Sequence, residues 1–386
     1  MVRRIALKIW KEYLQKGTFL SRTMEKEFQR AELDRRDKAF IMELVYGACR
    51  RKLLIDSVLK KFVRKTKASS YPFLSLGIYQ ILYMRSVTDY AAVSEMVEEA
   101  KRAGLKKEQG FINAVLRRVS ERKDELMCPL DERERQNEKT LSVRLSYPLW
   151  MVRRFSAEYG LDKACAVLEA MNTPSPVPIE FVREKDDSTL VMSPAQKKAV
   201  FALDVTPGMH VLDLCSSPGG KAKIIAGLLK GEGKLVCVEK NLKKLARQKE
   251  SMKESSLFSF ICGDAGKTHE LFSSEAFDRI MLDVPCSNTG EMSRRPEVRW
   301  RLKKNDAKRL SHIQKDLLKS ASEVLKAGGV LVYSTCSLMQ EENEDAVRKF
   351  LEKNPQFYLI KEETTLPICE RPYGGYYAKI IKDERL

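Results

Sequence analysis

Val211-Leu212-Asp213-Leu214-Cys215-Ser216-Ser217-Pro218-Gly219-Gly220-Lys221 decides the fold of this 386-residue chain. An apolar, β-rich run stops at a turn of small residues, and a helical pattern follows at once. Glycines in such a turn let the backbone approach a bound ligand, and the helix N-terminus offers unpaired N–H groups to a carboxylate or phosphate. The stretch is not a Walker loop, because Cys215 replaces the first Gly and Ala222 the required Ser or Thr; nor is it G-x-G-x-x-G. Working outward, short β-rich runs stand at 210–214, 234–238, 258–262, 279–284 and 329–335, most of them separated by helical segments. That alternation predicts an α/β unit with a mainly parallel sheet and helices on both faces. The last run, 376–381, is expected at an edge. Glu239 follows the second strand, where an acidic side chain would hold ribose hydroxyls, and Asp264 follows the third, where it could accept from an adenine amino group. The same residues also suit an ordinary strand–helix turn with surface acids, and by themselves they name no cofactor.

Two cysteines fifty positions apart each close a predicted strand: Cys286 in Leu282-Asp283-Val284-Pro285-Cys286-Ser287, and Cys336 in Tyr333-Ser334-Thr335-Cys336-Ser337. A thiolate can add to C6 of a pyrimidine, which makes C5 an enamine-like carbon able to take a methyl group. It is a strong nucleophile, although at an ordinary pKa only about a few per cent is ionised at pH 7. Two cysteines in one pocket would let one form the adduct and the other help release it. The plain alternative is a pair of inert, buried strand cysteines. Position argues against that, since both strands stop at a small polar residue, as strands do where they open onto a ligand crevice. Between the two, Arg294, Arg295, Arg299 and Arg301 surround Trp300. Unpaired bases stack on aromatic and guanidinium planes, so this reads as an RNA-gripping loop; the competing reading is a solvated charged loop with Trp300 in the core.

Residues 1–127 are helical in pattern throughout, with Asp34 and Asp37 placed for an N-terminal turn and 73–84 apolar enough to form a bundle's centre. Residues 1–130 carry a net charge of +12 out of +17, the remainder only +5. A basic helical module joined to a nearly balanced one fits polyanion binding coupled to catalysis. The charged run at 131–139 reads as a linker, a short helical segment ends near 171, and three prolines at 174–178 exclude a helix there. Nine cysteines without a Cys-x-x-Cys pair and three scattered histidines argue against structural zinc and a disulfide framework. No metal and no membrane are expected, and a reducing cytoplasm is the expected home.

Leu214 to Lys221, Asp283 to Ser287 and Ser334 to Ser337, in that order, resemble the three signature blocks of the Sun (Fmu, RsmB-type) family of RNA cytosine-C5 methyltransferases. The basic stretch Gly290 to Trp300 and Glu341-Glu342-Asn343 are similar to that family as well. Arg35-Arg36-Asp37-Lys38-Ala39-Phe40, Leu44-Val45-Tyr46-Gly47 and Gly110 to Arg117 resemble the NusB-like domain that heads its 16S ribosomal RNA branch. The resemblance implies a Rossmann-like class I methyltransferase domain at 191–386, an all-α NusB-like RNA-binding domain at 1–130, and a linker with a small helical or extended subdomain at 131–190. It implies S-adenosylmethionine as cofactor, 16S ribosomal RNA as partner, and a monomer. By the same resemblance Cys336 attacks C6, Cys286 serves release, and Asp283 hydrogen-bonds the cytosine edge and suits a contact to the cofactor. Cys215, Ser216, Ser217, Pro218, Gly219, Gly220 and Lys221 would hold the methionine part, Glu239 the ribose and Asp264 the adenine. Departures are Glu239 where the family more often has Asp, Ser216-Ser217 for Ala-Ala, Gly374-Gly375-Tyr376-Tyr377 for a Gly-Phe-Phe-like segment, and a shortened insert of which only about 180–192 remains. The same chemistry on transfer RNA, or a catalytically silent RNA-binding assembly factor, are the rival readings.

Overall fold

A computed structural model describes residues 1–174, 192–252 and 255–384. The shortened insert and most of the proline-rich stretch lie outside them. The chain divides into two compact units, Met1–Arg183 with Met292–Arg301, and Glu184–Glu291 with Leu302–Leu386.

The described part of the first unit is all-helical. Its centre is the helix Tyr71–Tyr83, buried continuously from Pro72 to Leu82 as its all-round apolarity requires. Glycines let neighbours close on it: a Cβ on Gly47 would stand 1.9 Å from the Tyr79 ring, and one on Gly77 would stand 2.8 Å from Leu116. Asp34 caps Arg35–Arg50 by accepting from the Asp37 N–H, as its placement predicts. The run read as a linker is instead two short helices, Glu132–Arg135 and Glu138–Arg144. Asp131 and Asn137 cap them, so residues that look like a solvated charge run are in fact helix-start signals. The segment expected to run helically to about 171 is broken at Gly160 into Leu149–Tyr159 and Leu161–Ala170.

The second unit holds seven strands: β1 His210–Leu214, β2 Lys234–Glu239, β3 Phe258–Cys262, β4 Phe277–Asp283, β5 Leu325–Thr335, β6 Phe357–Thr365 and β7 Gly375–Lys382. Their order is β3-β2-β1-β4-β5-β7-β6, with β1 to β5 parallel and β7 antiparallel to both neighbours. Apolar residues alternate between two cores. Leu212, Leu214, Val236, Ile280, Leu282, Leu331 and Tyr333 face one layer, and Val211, Leu235, Cys237, Met281, Val330 and Val332 the other. The last strand is not the edge. β7 inserts between β5 and β6, and β6 takes the edge with residues 358–362 all exposed, so it carries no alternating pattern by which to be read. Order along the sheet reverses between β1 and β4, which opens the ligand crevice of such sheets at their carboxyl ends.

Candidate active site

Every residue of the second unit singled out from sequence sits at those carboxyl ends. β1 runs directly into the turn, where Cys215 (φ 57°) and Gly219 (φ 101°) take left-handed backbone conformations. A Cβ on Gly219 would meet Met252 at 2.7 Å and Gln248 at 2.9 Å, so this glycine is required by close packing as well as by φ. Ser216 Oγ donates to Gln248 Oε1 at 3.0 Å, and Gly219 N–H donates to Ser216 O at 2.8 Å, which ties the turn shut ahead of the helix Gly220–Leu229. Burial, then Asp283 and Glu239, push the Cys215 thiol up to about 12, leaving it inert.

Lys221 opens that helix and is almost fully buried. Its Nζ pairs with Asp283 Oδ2 at 2.5 Å, while Asp283 Oδ1 accepts from Ser334 Oγ at 2.9 Å. Burial opposes the ammonium charge, but Asp283, Cys336 and Asp213 nearby outweigh it and hold the lysine above its ordinary pKa. Asp213, on β1, is fully buried, and among the described residues neither carboxylate oxygen has a hydrogen-bond partner. Burial raises its pKa to about 8, which the Lys221 charge opposes and Asp283 assists. A carboxylate orphaned beside the glycine turn is what a cationic amino-acid group would satisfy, so the site fits a cofactor bearing one. Glu239, at the end of β2, is buried and accepts from the Asn241 N–H at 2.9 Å. Asp264 is taken up by Lys240 Nζ at 2.7 Å and the Gly266 N–H at 3.0 Å, and these hold its pKa down.

The two cysteines do meet. The Cys336 N–H donates to Cys286 Sγ at 3.3 Å. Cys286 is held well above the usual thiol pKa, first by hydrogen bonding with Cys336 and then by burial. It therefore stays protonated and is suited to proton transfer. Around them, Gly290 N–H donates to Cys336 O and Gly374 N–H to Gly290 O, both at 2.9 Å. A Cβ on Gly290 would stand 2.4 Å from Gly374 O, so glycine is the residue that fits.

Behind the pair lies a carboxylate that sequence reasoning did not single out for a role. Glu342 has no exposure, and it accepts from the Ser287 N–H at 2.9 Å, Ser337 Oγ at 2.5 Å, Gln314 Nε2 at 3.0 Å and Ser287 Oγ. It thus joins the residue after each cysteine. Its only sequence signal was its place in the Glu-Glu-Asn match. Asp213 had a clearer signal, as an acid inside an apolar strand. Gln196, which donates from Nε2 to Cys336 Sγ at 3.3 Å, had none.

The arginine loop requires correction. Met292–Arg301 belongs to the helical unit. Arg299 has no exposure; its guanidinium lies 3.8 Å over the Tyr147 ring and donates to Asn172 Oδ1 at 2.9 Å and to the carbonyls of Arg50, Ser146 and Met292. Trp300 packs on the bundle's core and donates to Cys49 O at 2.8 Å. Arg299 is an internal strut, because a guanidinium with no exposure and held by buried carbonyls cannot also stack on a base, whereas Trp300 is half-buried with its N–H taken up by the bundle. Arg295 is exposed and Arg294 partly so.

Among the described residues no cluster of His, Cys, Asp and Glu could hold a metal, and no helix is long and apolar enough to cross a membrane. Comparison with known proteins accounts for the rest. A profile for the "16S rRNA methyltransferase RsmB/F" family matches residues 200–373, and one for the NusB family matches 1–121. The chain is 27% identical over 432 residues to the "Probable ribosomal RNA small subunit methyltransferase B" of Bacillus subtilis (strain 168), covering 100% of this chain and 94% of that protein. It is likewise 27% identical to the "Ribosomal RNA small subunit methyltransferase B" of Shigella sonnei (strain Ss046), covering 99% and 98%. In fold it is similar to the crystal structure of PH0851, with TM-score 0.75 and 22% identity over 99% of each chain. It also resembles a methyltransferase homolog protein from Pyrococcus horikoshii, with TM-score 0.53 and 23% identity over 66% of this chain and 100% of that one. A glycine turn at the switch point, a second unit built as a methyltransferase and a helical unit matching NusB converge: residues 200–373 match the RsmB/F family of S-adenosylmethionine-dependent 16S rRNA methyltransferases and residues 1–121 match the NusB family, in a chain similar along its whole length to small-subunit ribosomal RNA methyltransferases.

Proposed function

We propose that this protein methylates C5 of a cytosine in small-subunit (16S) ribosomal RNA through a covalent adduct between Cys336 and C6. The observation that carries the reading is the direct contact of the Cys336 backbone with the Cys286 sulfur at the carboxyl ends of β4 and β5, beside the Lys221–Asp283 pair. Bound S-adenosylmethionine supplies an electrophilic methyl group. The main chain of 215–221 and Asp213 bind its amino-acid part, Glu239 its ribose and Asp264 its adenine.

The Cys336 thiolate bonds to C6, and the C5–C6 π electrons move into the ring toward N3 and O2. Asp283 accepts from the exocyclic amino group beside N3 on the cytosine edge, and Lys221 offsets the negative charge that develops at N3. The electron-rich C5 would then bond to the methyl carbon, the electrons of the broken C–S bond staying on the departing neutral thioether. A base takes the C5 proton, the C–H electrons rebuild the C5–C6 double bond, and the C6–S bond breaks to expel Cys336 as thiolate, with Cys286 serving this release step. The target atom lies inside a stack, so the base must be single-stranded or flipped out. The net +12 of residues 1–130 supports RNA binding by the helical unit, and Arg294 and Arg295 remain the candidates from the basic loop. Bisulfite mapping of total RNA from cells lacking the protein should lose one 5-methylcytosine in 16S ribosomal RNA. Loss from transfer RNA instead, or no loss, refutes the substrate assignment.

A further inference from the structure

We propose that Gln196 is a catalytic residue, its carboxamide N–H donating to the Cys336 sulfur and stabilising the thiolate that attacks C6. This rests on the reading of Cys336 as the nucleophile. Gln196 is the third residue of the helix Pro194–Phe201 and forms a capping box with Ser193: its N–H donates to Ser193 Oγ at 3.3 Å, and the Ser193 N–H donates to Gln196 Oε1 at 3.1 Å. The returning bond fixes the amide's orientation, because only its oxygen can accept a backbone N–H. Its NH2 group is thereby turned away from the cap, and it lies 3.3 Å from Cys336 Sγ.

The helix itself is held in place. Ala195, Ala199 and Val200 are buried, and a Cβ placed on Gly375 of β7 would stand 3.7 Å from both Ala195 Cβ and Cys336 Cα. The amide is thus delivered by a packed element whose distance from the thiol is set by the sheet. An N–H donor favours the charged form of the group that accepts from it, and a thiolate is a far better acceptor than a thiol. The other groups around Cys336 are Cys286 on the loop after β4, with Glu342 behind it, and Lys221 with its partner Asp283. Among the described residues, Gln196 gives the sulfur a neutral donor that remains in place whatever the protonation of the others.

Capping alone would not require glutamine. Glutamate serves equally well at this position of a capping box, but it would set a carboxylate oxygen against the sulfur. That difference supplies the test. The pH dependence of iodoacetamide alkylation at Cys336, read by peptide mass spectrometry on the full-length protein, is compared for wild type, Gln196→Ala and Gln196→Glu. Thermal melts report folding in parallel. Loss of a hydrogen bond to a charged group should slow alkylation at neutral pH by about 10- to 100-fold in Gln196→Ala. Gln196→Glu should slow it further while keeping the wild-type melting temperature. A Gln196→Glu profile matching wild type would overturn the inference and leave Gln196 as a cap only. Turnover by Cys336→Ala would instead overturn the covalent reading, and with it any catalytic role for Gln196.

Discussion

Glu342→Ala should cost the second unit about 3–5 kcal/mol. The wild-type carboxylate, with no exposure, takes four hydrogen bonds from Ser287 N–H, Ser287 Oγ, Ser337 Oγ and Gln314 Nε2. Not all four donors would be stranded. The two serine hydroxyls are 3.0 Å apart and can pair with each other, and Gln314 also donates to Pro285 O at 3.0 Å. The Ser287 N–H has no such refuge. One orphaned backbone donor and one half-satisfied amide, at about 1–3 kcal/mol for a fully orphaned group, give about 2–4 kcal/mol. The lost side-chain packing adds about 1 kcal/mol. For a unit of this size, about 2–4 °C per kcal/mol predicts a fall of about 6–20 °C in its melting transition. Differential scanning calorimetry of the full chain reads this directly, with Glu342→Gln expected at less than half the loss because its carboxamide oxygen can still accept from Ser287 N–H. A shift under about 2 °C for Glu342→Ala would refute the argument that this carboxylate ties the two cysteine loops together.

Asp213→Asn tests the orphaned carboxylate through pH. Its folded pKa is near 8 and its unfolded value about 3.9, so between those values the folded state keeps a proton that the unfolded state has released, and wild-type stability falls as pH rises. The variant's melting temperature should therefore gain on wild type from pH 5 to pH 8 in the absence of cofactor; a gap independent of pH would refute the assignment. Glu239→Ala should weaken S-adenosylmethionine binding by about 1–3 kcal/mol in calorimetry, and equal affinity would remove Glu239 from the site. Arg299→Met should lower the melting temperature of the helical unit but leave the salt dependence of RNA binding unchanged. A flatter salt slope would restore Arg299 as a phosphate contact.

The parallel strands were legible because each is a short apolar run ended by a turn, and the order of the signature blocks carried the site with them. β6 was not legible, since an edge strand exposed along most of its length lacks the period of two that marks a half-buried one. Arg299 was misread, and the anchoring of Trp300 was hidden, for a related reason. In sequence they sit among arginines, and only the fold reveals the carbonyls of Arg50 and Cys49, some 250 positions away, that bury their donors. Gln196 and Glu342 belong to the same class: their hydrogen-bond partners at the cysteine loops are set by the packing of helix and loop against the sheet, which leaves no mark on local spacing.

The most direct test of the central claim is denaturing electrophoresis of Cys286→Ala and Cys336→Ala after incubation with 16S ribosomal RNA and S-adenosylmethionine. Because Cys336 forms the bond and Cys286 serves its release, Cys286→Ala should accumulate protein covalently joined to RNA, whereas Cys336→Ala should form none and show no turnover. An adduct trapped by Cys336→Ala and absent from Cys286→Ala, or full turnover by both, would contradict the account.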